Sequence, residues 1–131
     1  MKNLLLLFFL ATVTLVGCSN DDDNSSQDPL EGSWNLVRIT GGIAGVTDSI
    51  PPNIITYKFF NGNLTVKNTN PEPDFSFLET GEYSYQLTIL DTEQVLLIEN
   101  RDYQVFSLEA NAFDIGDPLP VNDGFNYEFE R

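Results

Sequence analysis

The residue types that carry most enzymatic chemistry are scarce in this chain. Its 131 residues include no histidine and one cysteine, Cys18, so neither nucleophilic triads nor histidine metal sites can be assembled. A single thiol also forms no internal disulfide and no thiolate-held zinc or iron–sulfur centre. Carboxylates are plentiful instead, with 20 acidic residues against six basic ones, and two of them at the right separation could cleave a glycosidic bond. Glu99, Glu109, Glu128 and Glu130 are the candidates. Carboxylates this numerous fall into pairs by chance, and most alternate onto the solvent face of strands, so no catalytic residue is assigned and the chain is read as a non-enzyme. Asp114, Asp117 and Asp123 cluster near the last turn and offer the oxygen ligands that calcium takes. Their spacing is not that of an EF-hand loop, so solvated acidic loops are expected, with no metal and no cofactor.

The one cysteine has a different chemistry, set by what precedes it. Met1-Lys2-Asn3 carries one positive charge, and residues 4–15 form an apolar run of signal-peptide length, too short for a comfortable membrane span. Leu15-Val16-Gly17-Cys18 then resembles a bacterial lipobox. That resemblance implies removal of residues 1–17 and acylation of Cys18 on its sulfur and its new amine, with palmitate-like chains holding the protein on the outer membrane. At about 0.8 kcal/mol per buried methylene, two or more chains anchor a protein almost permanently.

Residues 18–29 follow as a polar, acidic run that buries no apolar surface and is expected to act as a flexible tether. It is similar to the serine-plus-acidic export tag of surface lipoproteins in one Gram-negative group, which implies exposure at the cell surface. Only Lys2 of the six basic residues precedes Cys18, so the part after the cut holds 20 acidic and five basic residues. Such a surface repels nucleic acid and anionic lipid, and a monomer without nucleic-acid partners is expected.

The remainder, residues 30–131, has to position whatever function exists. Strand-like stretches succeed one another with turn signals between them, and no stretch of ten residues has a convincing helical period. Residues 32–40 open the series with the only tryptophan, Trp34, and residues 125–131 close it. Between them, residues 54–60 and 63–67 flank Asn61-Gly62, a pair that tolerates positive φ and marks a hairpin. Residues 81–90 alternate cleanly, with Tyr83, Tyr85, Leu87 and Ile89 on one face. Residues 95–98, 103–108 and 113–115 complete about eight strands, while 41–53, 68–78 and 116–124 read as long loops. An all-β, antiparallel up-and-down meander closed into a small barrel removes the exposed edges. With an even strand number the first and last strands run antiparallel, and Trp34 lies beside Arg131; with an odd number a strand length of about 30 Å separates them.

With these residues in place the chain resembles a lipocalin, specifically the short lipocalin-like domains of bacterial lipoproteins within the calycin superfamily. Gly32-Ser33-Trp34 is similar to the family's Gly-x-Trp at the start of its first strand, and Arg131 follows the last strand as the family's arginine does. The resemblance implies that Trp34 and Arg131 close the narrow end and that residues 41–53 form a lid over the open one. The chain is shorter than a full lipocalin and lacks its C-terminal helix and disulfide.

Two functions follow. A barrel with an accessible mouth binds a small hydrophobic or amphipathic ligand, and Tyr57, Phe59, Tyr83, Tyr85, Leu87, Tyr103, Phe125, Tyr127 and Phe129 are its inward-facing candidates. A barrel packed shut by those same side chains acts through its loops as a structural or interaction module.

Overall fold

The computed structural model describes residues 28–71, 78–117 and 124–131, and Cys18, the expected leader and the acidic run before Asp28 lie outside the described residues. Nine strands follow in order: β1 (Gly32–Gly41), β2 (Val46–Ser49), β3 (Ile55–Phe60), β4 (Asn63–Asn68), β5 (Gly81–Leu90), β6 (Glu93–Ile98), β7 (Arg101–Leu108), β8 (Ala112–Gly116) and β9 (Phe125–Glu130). All ladders are antiparallel, and β9 returns to pair with β1 from Asn35↔Glu130 to Gly41↔Phe125, which closes the sheet.

Eight of these strands make the barrel and β2 is extra. It lies inside the stretch expected to be a lid. One edge of β1 pairs with β3 through residues 32–35 and, farther along, with β2 through residues 38–41. β2 and β3 are thus two pieces of one barrel position, interrupted by residues 50–54. That excursion is held by Ile50 N donating to Val37 O at 2.8 Å and by Asn53 N donating to Asn35 Oδ1 at 2.9 Å. The sequence signal for β2 is faint because Asp48, Ser49 and Pro51-Pro52 all disfavour a strand.

Alternation decides what faces inward. In β3 the pattern Ile55, Tyr57, Phe59 is buried while Lys58 and Phe60 are exposed, and β4 repeats it with Leu64 and Val66 inside. The Asn61-Gly62 hairpin forms with φ of 47° and 75°, as a two-residue turn of matching twist requires. Turns β3–β4, β5–β6 and β7–β8 share the end where β1 starts and β9 finishes, called the lower end below. Connections β1–β2, β4–β5, β6–β7 and β8–β9 share the upper end.

Candidate functional site

The lower end is plugged. Trp34 is fully buried and its Nε1 donates to Leu30 O at 2.7 Å. The Phe113 ring meets the indole edge-on at 4.7 Å and stacks on Phe129 at 4.4 Å. Tyr57 continues the column 5.0 Å from Phe129, and Phe59 joins it 6.1 Å from Phe113 and 4.8 Å from Tyr85. Offset and edge contacts of this kind satisfy the ring quadrupoles while excluding water. Arg131 covers the column from below, with its guanidinium carbon 4.1 Å from the indole centroid. Its Nη1 donates to Glu31 O at 3.1 Å and its Nε to Ala110 O, so the cation also ties the chain entrance to the β7–β8 turn.

The chain enters through this plug. Asp28 Oδ1 accepts from Leu30 N at 2.9 Å, Asp28 O accepts from Glu31 N at 2.9 Å, and Tyr85 donates its hydroxyl to Asp28 Oδ2 at 2.5 Å. Burial, then the hydrogen bond to the Asp28 carboxylate, raises the Tyr85 phenol above its ordinary range. Asp28, within the expected tether of residues 18–29, is thus held against the barrel. The sequence signal for this contact is slight, a lone apolar Leu30 ahead of Gly32.

The expected ligand-lining set is spread along the barrel. Phe59 and Phe129 are fully buried in the plug, and Tyr85 belongs to the same lower end. Tyr57 is also fully buried, and burial first, then the neighbouring Tyr103 and Tyr127 phenols, raises its own phenol well above the ordinary range. Tyr83, Leu87 and Phe125 are half-buried against the core. Tyr83 donates its hydroxyl to Glu79 O at 3.0 Å.

The upper end gathers polar chemistry around phenols. An open cleft of about 370 Å³ is lined by Asn100, Arg101, Asp102, Tyr103 and Asp117. Tyr103 and Tyr127 are nearly buried, and burial is the first cause that raises both phenols; Asp117 adds to it in each. The Tyr103 hydroxyl bonds Arg101, and this contact, reinforced by Tyr127 and Asp117, raises the guanidinium. Asp117 is held in place because its Oδ2 accepts from Phe125 N at 3.0 Å. The cleft can thus hold a ligand's polar group between a cation, carboxylates and the Tyr103 phenol. Neither Arg101 nor Asn100 was expected here, although Arg101 is the only basic residue between Lys67 and Arg131.

The other candidate groups are spread around the barrel. Glu128 Oε2 pairs with Arg38 at 3.2 Å, and Glu99 Oε1 accepts from Ser84 N at 3.2 Å. Glu109 stands in the β7–β8 turn, where its N–H donates to Ala112 O, and Glu130 pairs across β9 to Asn35 and Ala112. Asp114 accepts from Ser107 Oγ at 2.9 Å. Asp123 lies outside the described residues, and among the described residues no three metal-ligating side chains converge.

The fold has a counterpart among solved structures. A lipocalin-like protein from Bacteroides uniformis superposes with a TM-score of 0.52 at 11% identity, covering 79% of this chain and 99% of that one. No family model and no curated protein matches the sequence.

Proposed function

We propose, from a barrel with the lipocalin-like fold, that the protein is a non-catalytic, monomeric lipoprotein held by acylated Cys18 at the outer-membrane surface, and that it binds a small amphipathic molecule at its upper end. The observation that carries this reading is the cleft where Arg101 and Tyr103 meet Asp117. A volume of about 370 Å³ stands near the bottom of the range of small-molecule sites. With the lower half filled by the Trp34–Phe113–Phe129 column, a ligand's apolar part has to be short and its polar head has to stay at the rim.

Titrating residues 28–131 with a small amphipathic fluorophore tests the proposal. Saturable binding that weakens at least tenfold in Arg101→Ala and also falls in Tyr103→Phe supports it. A linear, unsaturable signal defeats it and favours the second reading, in which the barrel is a packed surface module. The specific observation on that side is the same aromatic column, whose Trp34, Phe113 and Phe129 rings are fully buried in the lower half.

A further inference from the structure

We infer that the lower end of the barrel rests on the lipid surface, with Ile89, Leu90 and Phe60 at the contact, so that the upper cleft faces away from the membrane. This rests on the reading that Cys18 is acylated.

The path of the chain supplies the first reason. Asp28 is pinned to the lower end by Tyr85, and Leu30 beside it is fully buried, so the chain enters the barrel at that end. Residues 18–27 reach about 35 Å at full extension. The upper rim lies about 30 Å from the entrance, one ten-residue strand away. Laying the upper end on the membrane would therefore stretch the whole tether back along the barrel wall, whereas the lower end meets the membrane with the tether slack.

Exposed apolar side chains supply the second. The β4–β5 ladder ends at Asn63↔Ser84, while β5–β6 runs on to Leu90↔Glu93, so the tip of this hairpin extends about 20 Å past β4. Ile89 and Leu90 are consecutive and point to opposite faces, yet they are 68% and 48% exposed. Phe60, 61% exposed, ends β3 next to the lower Asn61-Gly62 turn. From Tyr83 to Leu90 the strand carries no charge, in a chain of formal net charge −14. Along residues 86–90 the β4-facing edge of β5 has no strand partner among the described residues. Exposed edges are usually protected by charge or proline; this one carries neither and is covered by the interface it touches. Asp91 and Glu93 at the tip disfavour anionic headgroups, so the surface is a zwitterionic one.

The test uses the acylated full chain on phosphatidylcholine vesicles. Cysteines introduced one at a time as Leu90→Cys and Asn100→Cys carry an environment-sensitive fluorophore, Cys18 being blocked by its lipid. The Leu90 label should shift to shorter wavelength and be quenched by a lipid-borne quencher, while the Asn100 label should do neither. Adding Ile89→Ser to the Leu90→Cys chain should reduce the quenching several-fold with an unchanged thermal melt. Labels that respond equally, or an Asn100 label that responds more, on protein that stays bound to vesicles overturn the orientation alone. A Leu90 signal that grows with the concentration of unacylated Cys18→Ser protein means that a second copy covers the edge, and overturns it too. Protein without acyl mass that stays off the vesicles defeats the tether reading itself, and the orientation with it.

Discussion

The guanidinium carbon of Arg131 lies over the indole of Trp34, 4.1 Å from its centroid, joining the last strand's end to the first strand. The two contribute unequally to stability. Trp34 is fully buried, and its truncation to alanine is expected to cost about 3–5 kcal/mol. Arg131 is exposed, so the cation–π term is about 0.5–1 kcal/mol, and its two carbonyl contacts add about 1 kcal/mol each at most. Thermal melts should therefore shift further in Trp34→Ala than in Arg131→Ala, and equal shifts would contradict closure by burial.

The entrance segment stabilises the plug through Leu30 more than through Asp28. Leu30→Ala removes a fully buried side chain and should cost about 2–5 kcal/mol. Tyr85→Phe removes a hydrogen bond to a charged group, worth about 1.5–3 kcal/mol, and leaves Asp28 able to find water. Urea denaturation of residues 28–131 should order the variants that way, with Leu30→Ala the weaker.

High pH should unfold the barrel. Tyr57, Tyr85, Tyr103 and Tyr127 all have phenols raised above the ordinary value of 10, with burial as the first cause. A group whose folded pKa is raised keeps its proton in the native state while the unfolded chain loses it, so the stabilisation is complete below about pH 10 and is lost as pH rises through the folded values. Ultraviolet titration of tyrosinate should show these phenols ionising late and together with loss of the near-ultraviolet circular dichroism. Their ionising near pH 10 in a folded protein would show that they are not buried.

The upper closure depends on a glycine. Gly41 ends β1 at a φ of 118°, and a Cβ built there would lie 2.3 Å from Gly124 O. Gly41→Ala should cost about 2 kcal/mol or more, since the neighbour is backbone and the conformation excludes side chains. Gly45, in the β1–β2 turn at a φ of 62°, has nothing within 4 Å of such an atom, and Gly45→Ala should cost about 1 kcal/mol. Denaturation midpoints of the two variants provide the comparison.

The strand order and the closed barrel were legible because they depend on local signals. Alternation in residues 81–90, the Asn61-Gly62 turn and the parity of eight barrel strands together put Trp34 and Arg131 at one end, where they meet. What sits near each end of the barrel was harder to read. Inward alternation alone does not say how far up the barrel a side chain lies, so Phe59, Tyr85 and Phe129 looked like Tyr103 and Tyr127 although they fill the plug. β2 escaped notice because it is only four residues long and its own residues disfavour a strand, although it pairs with β1 across a short turn. Arg101 fell between the expected strands, and its place opening β7 acquired meaning only when the end of β8 brought Asp117 to the same cleft.

Mapping amide and indole chemical shifts of residues 28–131 during titration with a small amphipathic ligand tests most directly the proposed binding at the upper end. Shifts concentrated at Asn100, Arg101, Tyr103 and Asp117, with the Trp34 indole unmoved at the plugged end, are the expected result. Shifts centred on Trp34 and Leu30, or none anywhere at saturating ligand, would contradict binding at the upper end.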